Sequence, residues 1–286
     1  MTTIHVYADP LDPRGWGSEP ALRRLRLTLP DADWQLRPVE MVPDWDSYTG
    51  PELPGREAAA ATCARVSEES GMPIDEFLWF QNPPERSGPA TRGVAAALEQ
   101  GETAGWRFLR AAREATYIRR TNLDTDAAVV DLAASVPDLD TEAFETALDA
   151  GPELPDCSAA TEVHGVGDAG GRPELPTITV RGDADERGLS GFADAASLDH
   201  VVQTATGSTP EPARVGAVEA VERFSAEGWL APIELAALAG VSYDDAVDTV
   251  ADAEGIVERG FASERFFRSA EYVADAGEAE DADTDE

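Results

Sequence analysis

Apolar and polar residues alternate from Thr3 to Tyr7 (TIHVY), the period of a half-buried strand, and Asp9-Pro10 ends the run. From Trp16 to Leu29 the apolar positions shift to helical spacing with arginines between them, and Trp34 to Met41 (WQLRPVEM) returns to a strand pattern after the Pro30-Asp31 turn. Strand, helix, strand in that order predicts a parallel opening. From Gly55 a helical period holds for about a hundred residues. It predicts helices over 56–70, 89–100, 102–121, 125–135 and 141–148, separated by Gly71, Pro83-Pro84, Gly101, Asn122, Pro137 and Gly151. Ile178–Val180 and Gly188–Phe192 then read as antiparallel strands about the acidic turn from Gly182 to Asp185, with a helix over 195–206 behind them. Past a short linker at 210–212, three helices over 215–227, 232–239 and 242–253 and a two-stranded wing over 255–269 predict a small winged-helix-like appendage.

Composition changes this picture in one respect. Acidic residues outnumber basic ones 56 to 22, every basic residue is arginine, and the net charge is −34 over 286 residues. Repulsion on that scale strains a compact fold at low ionic strength, whereas at molar salt the screening length falls to about 3 Å. The acidity therefore reads as an adaptation to salty solvent, like that of extreme halophiles. It argues against nucleic-acid phosphates and anionic membrane surfaces as partners. The helix that would enter a DNA groove carries Asp244, Asp245, Asp248 and Asp252 and no arginine, so duplex binding is not expected. No apolar run approaches the roughly 20 residues of a membrane span, and no basic or apolar leader precedes the first strand, so a cytoplasmic protein is expected. Arginines cluster at 107, 110, 113, 119 and 120 and again at 23, 24 and 26, and intramolecular ion pairs with the surplus carboxylates account for them best.

The stretch with chemical character is Tyr7 to Pro20, YADPLDPRGWGSEP, a polar turn between the first strand and the first helix. Asp12 before Pro13 suits a helix start, because a carboxylate caps free amides and proline lacks the N–H that the first turn leaves unused. Asp9-Pro10-Leu11-Asp12-Pro13-Arg14-Gly15-Trp16 resembles the active-site segment DP-x-CPxCW of the DsbA-like thioredoxin-fold family, in a haloarchaeal form lacking both CxxC cysteines. Asp12 stands at the nucleophilic thiol's place and Gly15 at that of its resolving partner. Leu175-Pro176-Thr177 resembles the family's cis-proline loop, and Gly71–Asp75, Asn82–Pro84, Pro89–Ala97 and Phe108–Asn122 agree further, over roughly residues 3–206. The resemblance implies an α/β protein: a thioredoxin fold over 1–207 with a large helical insertion at about 55–160. The winged-helix-like domain follows at 208–273, and an acidic tail, expected to be disordered, at 274–286.

Disulfide exchange needs a thiolate to attack and a second thiol to release the mixed disulfide, and a carboxylate can do neither. The implied function is therefore a redox-inactive pseudo-oxidoreductase. It would bind a protein or peptide in a groove lined by Asp12, Pro13, Arg14, Gly15, Trp16, Leu175, Pro176 and Thr177, or Asp12 would serve only as a helix cap. Adaptors that hand partners to a protease share this outline. The alternative is an enzyme, either a thiol-disulfide oxidoreductase using Cys63 or Cys157 or a glutathione-dependent isomerase or transferase of the DsbA/kappa superfamily. The two cysteines lack CxxC spacing, and Cys63 reads as a core residue of a helix. Trp45 and Tyr48 in the loop 42–54 are candidates to line the groove, and His164 is a candidate acid/base partner for Asp12. No cofactor or metal is expected. The sequence carries no sign of oligomeric state.

Overall fold

The computed structural model describes residues 2–274, and the tail expected beyond them lies outside the described residues. Strand β1 (Thr3–Ala8) leads through a turn into helices α1 (Pro13–Gly17) and α2 (Glu19–Thr28), and β2 (Asp33–Pro38) follows. The helical insertion comprises α3 (Ala59–Ser70), α4 (Leu78–Gln81), α5 (Gly88–Leu98), α6 (Glu102–Tyr117), α7 (Asp126–Ala133) and α8 (Thr141–Asp149). The sheet is completed by β3 (Thr177–Arg181) and β4 (Glu186–Ser190), then covered by α9 (Ala195–Thr206). Strand order is β2-β1-β3-β4, with β1 and β2 parallel and the other two pairs antiparallel. This is a thioredoxin fold with a large helical insertion. Ile4, Val6, Ile178 and Val180 are buried on the sheet and share one core with Leu22 and Leu25 of α2, Phe108 of α6 and Leu198 of α9.

One helix was expected from Trp16 to Leu29, and two are present. Pro20 has no N–H to donate to the Trp16 carbonyl, so the ladder breaks at Ser18, whose hydroxyl instead donates to Arg14 O and accepts from Ala193 N–H. The second strand stops at Pro38, short of Met41. The fourth lies two residues earlier than expected, at Glu186–Ser190, because the turn closes tightly with Gly182 N–H donating to Asp185 O, so that Arg181 and Glu186 are already paired in the ladder. Helix α4 was not anticipated, since the run of four apolar residues from Phe77 to Phe80 carries no period.

After α9 come α10 (Ala217–Phe224), α11 (Pro232–Ala239), α12 (Tyr243–Ala251), the hairpin β5 (Ile256–Phe261) and β6 (Glu264–Ser269), and α13 (Ala270–Ala274). Val221, Leu235, Leu238, Val250 and Phe267 form its core, which also takes in Leu27 from α2. Helix α11 packs directly on α2. Among the described residues no helix is long and apolar enough to cross a membrane.

Candidate functional site

The turn after β1 is fixed by Asp9, fully buried, whose carboxylate accepts from Leu11 N–H at 2.7 Å, Met41 N–H at 2.8 Å and Thr91 Oγ1 at 2.8 Å. It ties the turn to the chain after β2 and to α5. Asp12 then caps α1, accepting from the N–H groups of Arg14 at 3.1 Å and Gly15 at 3.0 Å, with Pro13 in the first turn. Burial pushes the Asp12 carboxyl up to about 6, and Glu52 adds to this, against the pull of Arg14 and Arg113. A β-carbon built on Gly15 overlaps Nη2 of Arg113 and lies 3.1 Å from Asp12 Oδ2. The space that a side chain at position 15 would fill is therefore held by a guanidinium from α6. Arg113 is buried and pairs with Glu19 at 2.5 Å.

The Leu175–Pro176 peptide is cis, and Thr177 lies opposite Tyr7 across β1–β3, which sets Pro176 at the end of β1 beside the Asp12 turn. Between the two segments runs an ion cluster. Arg14 binds Glu174 at 2.7 Å and lies 3.9 Å from both Asp12 and Glu52. Glu52 takes both guanidinium nitrogens of Arg172 at 2.7 and 3.0 Å, the Leu175 N–H at 2.8 Å and the Tyr48 hydroxyl at 2.8 Å. Burial alone would raise Glu52, but Arg172 and these hydrogen bonds outweigh it and hold the carboxyl below its ordinary value. Trp16 donates to Pro73 O at 2.8 Å, stacks on Tyr117, and carries the Arg110 guanidinium 4.4 Å above its ring.

The structure thus brings both predicted segments together and closes the groove expected between them. Asp12, Pro13, Gly15, Trp16, Leu175, Pro176 and Thr177 are all buried, and Arg14 alone is half-buried. The physical cause is Glu52, which fastens the loop 42–54 across the cis-proline segment. Trp45 and Tyr48 pack back onto the core beside the site as half-buried rings. Cys63 is buried, accepts from Trp79 Nε1 at 3.2 Å, and has its thiol pushed up by burial to about 12. Both cysteines are free, so they form no disulfide. His164 is exposed and lines a cavity of about 330 Å³ with His200 between β4 and α9. Glu52, Arg172 and Glu174 escaped sequence reasoning, and Arg113 was expected only as an ion-pair partner, not beside position 15. The i, i+3 spacing of Arg110 and Arg113 marks one helix face, but nothing local marks what that face meets. Among the described residues no group of three histidine, cysteine or acidic side chains is arranged to hold a metal.

The family model described as Thioredoxin (Thioredoxin_5) matches residues 5–151, just over half of the chain. The chain belongs to this thioredoxin family. Its curated relatives include proteins named ClpXP adapter protein SpxH. That of Halalkalibacterium halodurans is 29% identical over 136 residues, 46% of this chain and 44% of that protein. That of Bacillus subtilis is 20% identical over 218 residues, 76% and 71% respectively. The match thus spans less than half the length of the first of these relatives. Among solved structures, the cytosolic disulfide reductase DsbM from Pseudomonas aeruginosa superposes with a TM-score of 0.51 at 19% identity, covering 71% of this chain and 93% of that one. That likeness is one of fold.

Proposed function

We propose that this protein is a redox-inactive member of the thioredoxin family that acts by binding a protein partner, in the manner of an adaptor. The observation that carries the first half is the Arg113 guanidinium in the side-chain space of position 15, facing a buried carboxylate at position 12. A mixed disulfide needs a sulfur at the helix N-terminus and room for a second to displace it. Here the sulfur positions hold a helix cap and a filled void. Support for the second half comes from the adapter names of the relatives, which cover only part of their length. The surface above the former thiol site offers the partly exposed Arg14, Arg172 and Glu174 over a buried Glu52, so a partner would meet charged side chains there and would not enter the turn. Consistent with the composition, we assign the protein to the cytoplasm of a salt-adapted, haloarchaeal-type cell. We treat 1–207 and 208–273 as its two domains, the second of winged-helix type.

The test is dithiothreitol-dependent insulin reduction in high salt. No activity is expected of the parent. The double variant Asp12→Cys, Gly15→Cys is expected to stay inactive while Arg113 fills the site, and to gain activity once Arg113→Met and Glu19→Gln are added. Activity in the parent that vanishes with Cys63→Ser or Cys157→Ser would establish the oxidoreductase alternative instead.

A further inference from the structure

Helix α4 and its N-cap Phe77 carry four apolar side chains in a row, of which two are buried and two exposed. Leu78 and Trp79 point inward at 1% and 7% exposure, whereas Phe77 and Phe80 stand out at 50% and 70%. These two rings touch edge to face, 6.1 Å apart, and make up half of the exposed large apolar side chains among the described residues. An exposed apolar cluster of this kind leaves apolar surface in water that the fold itself does not cover. Its geometry is nevertheless fixed. Asp75 accepts from Phe77 N–H at 3.0 Å, its own N–H donates to Tyr117 O at 2.7 Å, and Arg120 binds the Asp75 carboxylate at 2.7 Å while lying 5.1 Å over the Phe77 ring.

Phe80 and Trp79 wall a cavity of about 430 Å³ floored by Ala60. Arg56 separates it from a second one of about 550 Å³ that includes Trp45, Asp44, Asp46 and Asp124. Trp45 of the second cavity and Trp79 of the first meet edge to face at 6.0 Å, and Arg56 lines both, so the two cavities adjoin as a trough divided by that side chain. The loop carrying Trp45 is the one that Glu52 fastens over the former thiol site. Arg56 is engaged by Glu85 at 2.6 Å, and Arg86 by the Asp124 carbonyl. Glu57, Asp44 and Asp46 remain along the trough, so the apolar wall of Ala60, Trp79 and Phe80 lies on one side of Arg56 and the excess negative charge gathers mainly on the other.

We infer that the Phe77–Phe80 turn and the trough beside it dock a segment of a partner protein that presents a large apolar side chain next to arginine or lysine. The apolar side chain fills the space between Phe80 and Trp79, and the cation meets the carboxylates beyond Arg56. An acidic segment is repelled by the same carboxylates. The inference rests on the adaptor reading and names the partner chemistry that reading lacks.

Two short tryptophan-free peptides make the probe, one alternating leucine with arginine and one alternating leucine with glutamate. Binding is read as dye anisotropy and as a change in the protein's own tryptophan emission, since Trp45 and Trp79 line the trough. The leucine–arginine peptide is expected to bind the parent and to bind Phe80→Ser about tenfold more weakly, at unchanged unfolding temperature because the ring is exposed. Asp46→Asn with Glu57→Gln is expected to weaken it as well, and the leucine–glutamate peptide is expected not to bind. Equal binding of both peptides, binding that ignores Phe80→Ser, or no binding at all overturns the inference. So does a dimer in sedimentation velocity that Phe80→Ser dissociates, because the occupant is then a second copy. The assay contains no thiol reagent, so its failure leaves the redox-inactive reading standing, and insulin reduction by the parent would remove that reading without touching the peptide result.

Discussion

Asp12 combines two opposing demands on one carboxyl. Two backbone amides and two guanidinium groups favour its ionised form, while complete burial and the neighbouring Glu52 favour the neutral one, and the balance lies at about 6. That value is above the 3.8 of an ordinary aspartate, so protonation favours the folded state. The contribution is fully present below pH 3.8 and is lost as pH rises through about 6. Asparagine keeps the capping oxygen without the charge. Asp12→Asn is therefore expected to gain on the parent by up to about 3 kcal/mol between pH 4 and pH 7, measured by denaturant unfolding at each pH. A difference that does not vary with pH would mean that Asp12 stays charged throughout. At neighbouring Gly15 a side chain would overlap Nη2 of Arg113, so a substitution there has to displace that guanidinium, which pairs with Glu19.

At the level of elements, α2, α6 and α11 are joined by a buried charge lattice. Arg110 of α6 binds Glu234 of α11 with two bonds of 2.9 Å, Glu114 at 2.8 Å and the Trp229 carbonyl. Glu114 in turn accepts from Trp229 N–H at 2.8 Å, and Arg23 of α2 lies 3.0 Å from Glu234. Burial would raise Glu19, but Arg113, Arg110 and Arg23 outweigh it and hold it below its ordinary range. Removing one charge from such a lattice leaves the others buried without a partner. Arg110→Met is expected to cost about 3–5 kcal/mol in chemical denaturation, and the added change Glu234→Met to return a substantial part of it. Recovery by the second substitution separates stranded charge from lost packing. The arginine clusters at 23–26 and 107–120 were legible in the sequence as ion-pair partners. Their acceptors were not, because Glu234 is more than a hundred residues away from Arg110 and becomes its neighbour only when α11 docks on α2.

For the whole molecule, the lattice and the surface answer differently to salt. Paired charges inside are shielded from ions, while in a chain of net charge −34 the exposed carboxylates of the described residues repel one another. Raising potassium chloride from about 0.1 M to about 1 M shortens the screening length from about 10 Å to about 3 Å. The thermal midpoint is expected to rise across that range. A flat or falling midpoint would show that surface repulsion does not limit the fold.

Hydrophobic period and proline and glycine punctuation are local signals, and they were enough for most of the order of elements and for the N-cap at Asp12, though not for the short α4; the DPxDPxGW turn carried the resemblance that implied the thioredoxin core and its helical insertion. Even the exception at Ser18 has a local cause in Pro20, readable in retrospect. The closed state of the groove has none. It depends on Glu52 meeting Arg172 and Leu175, and on Arg113 reaching Gly15, contacts between segments about a hundred residues or more apart in the chain, whose side chains carry no mark of their partners until the fold assembles them. Short-range periodicity encodes which face of an element is apolar. Which charge fills which void is settled by packing alone.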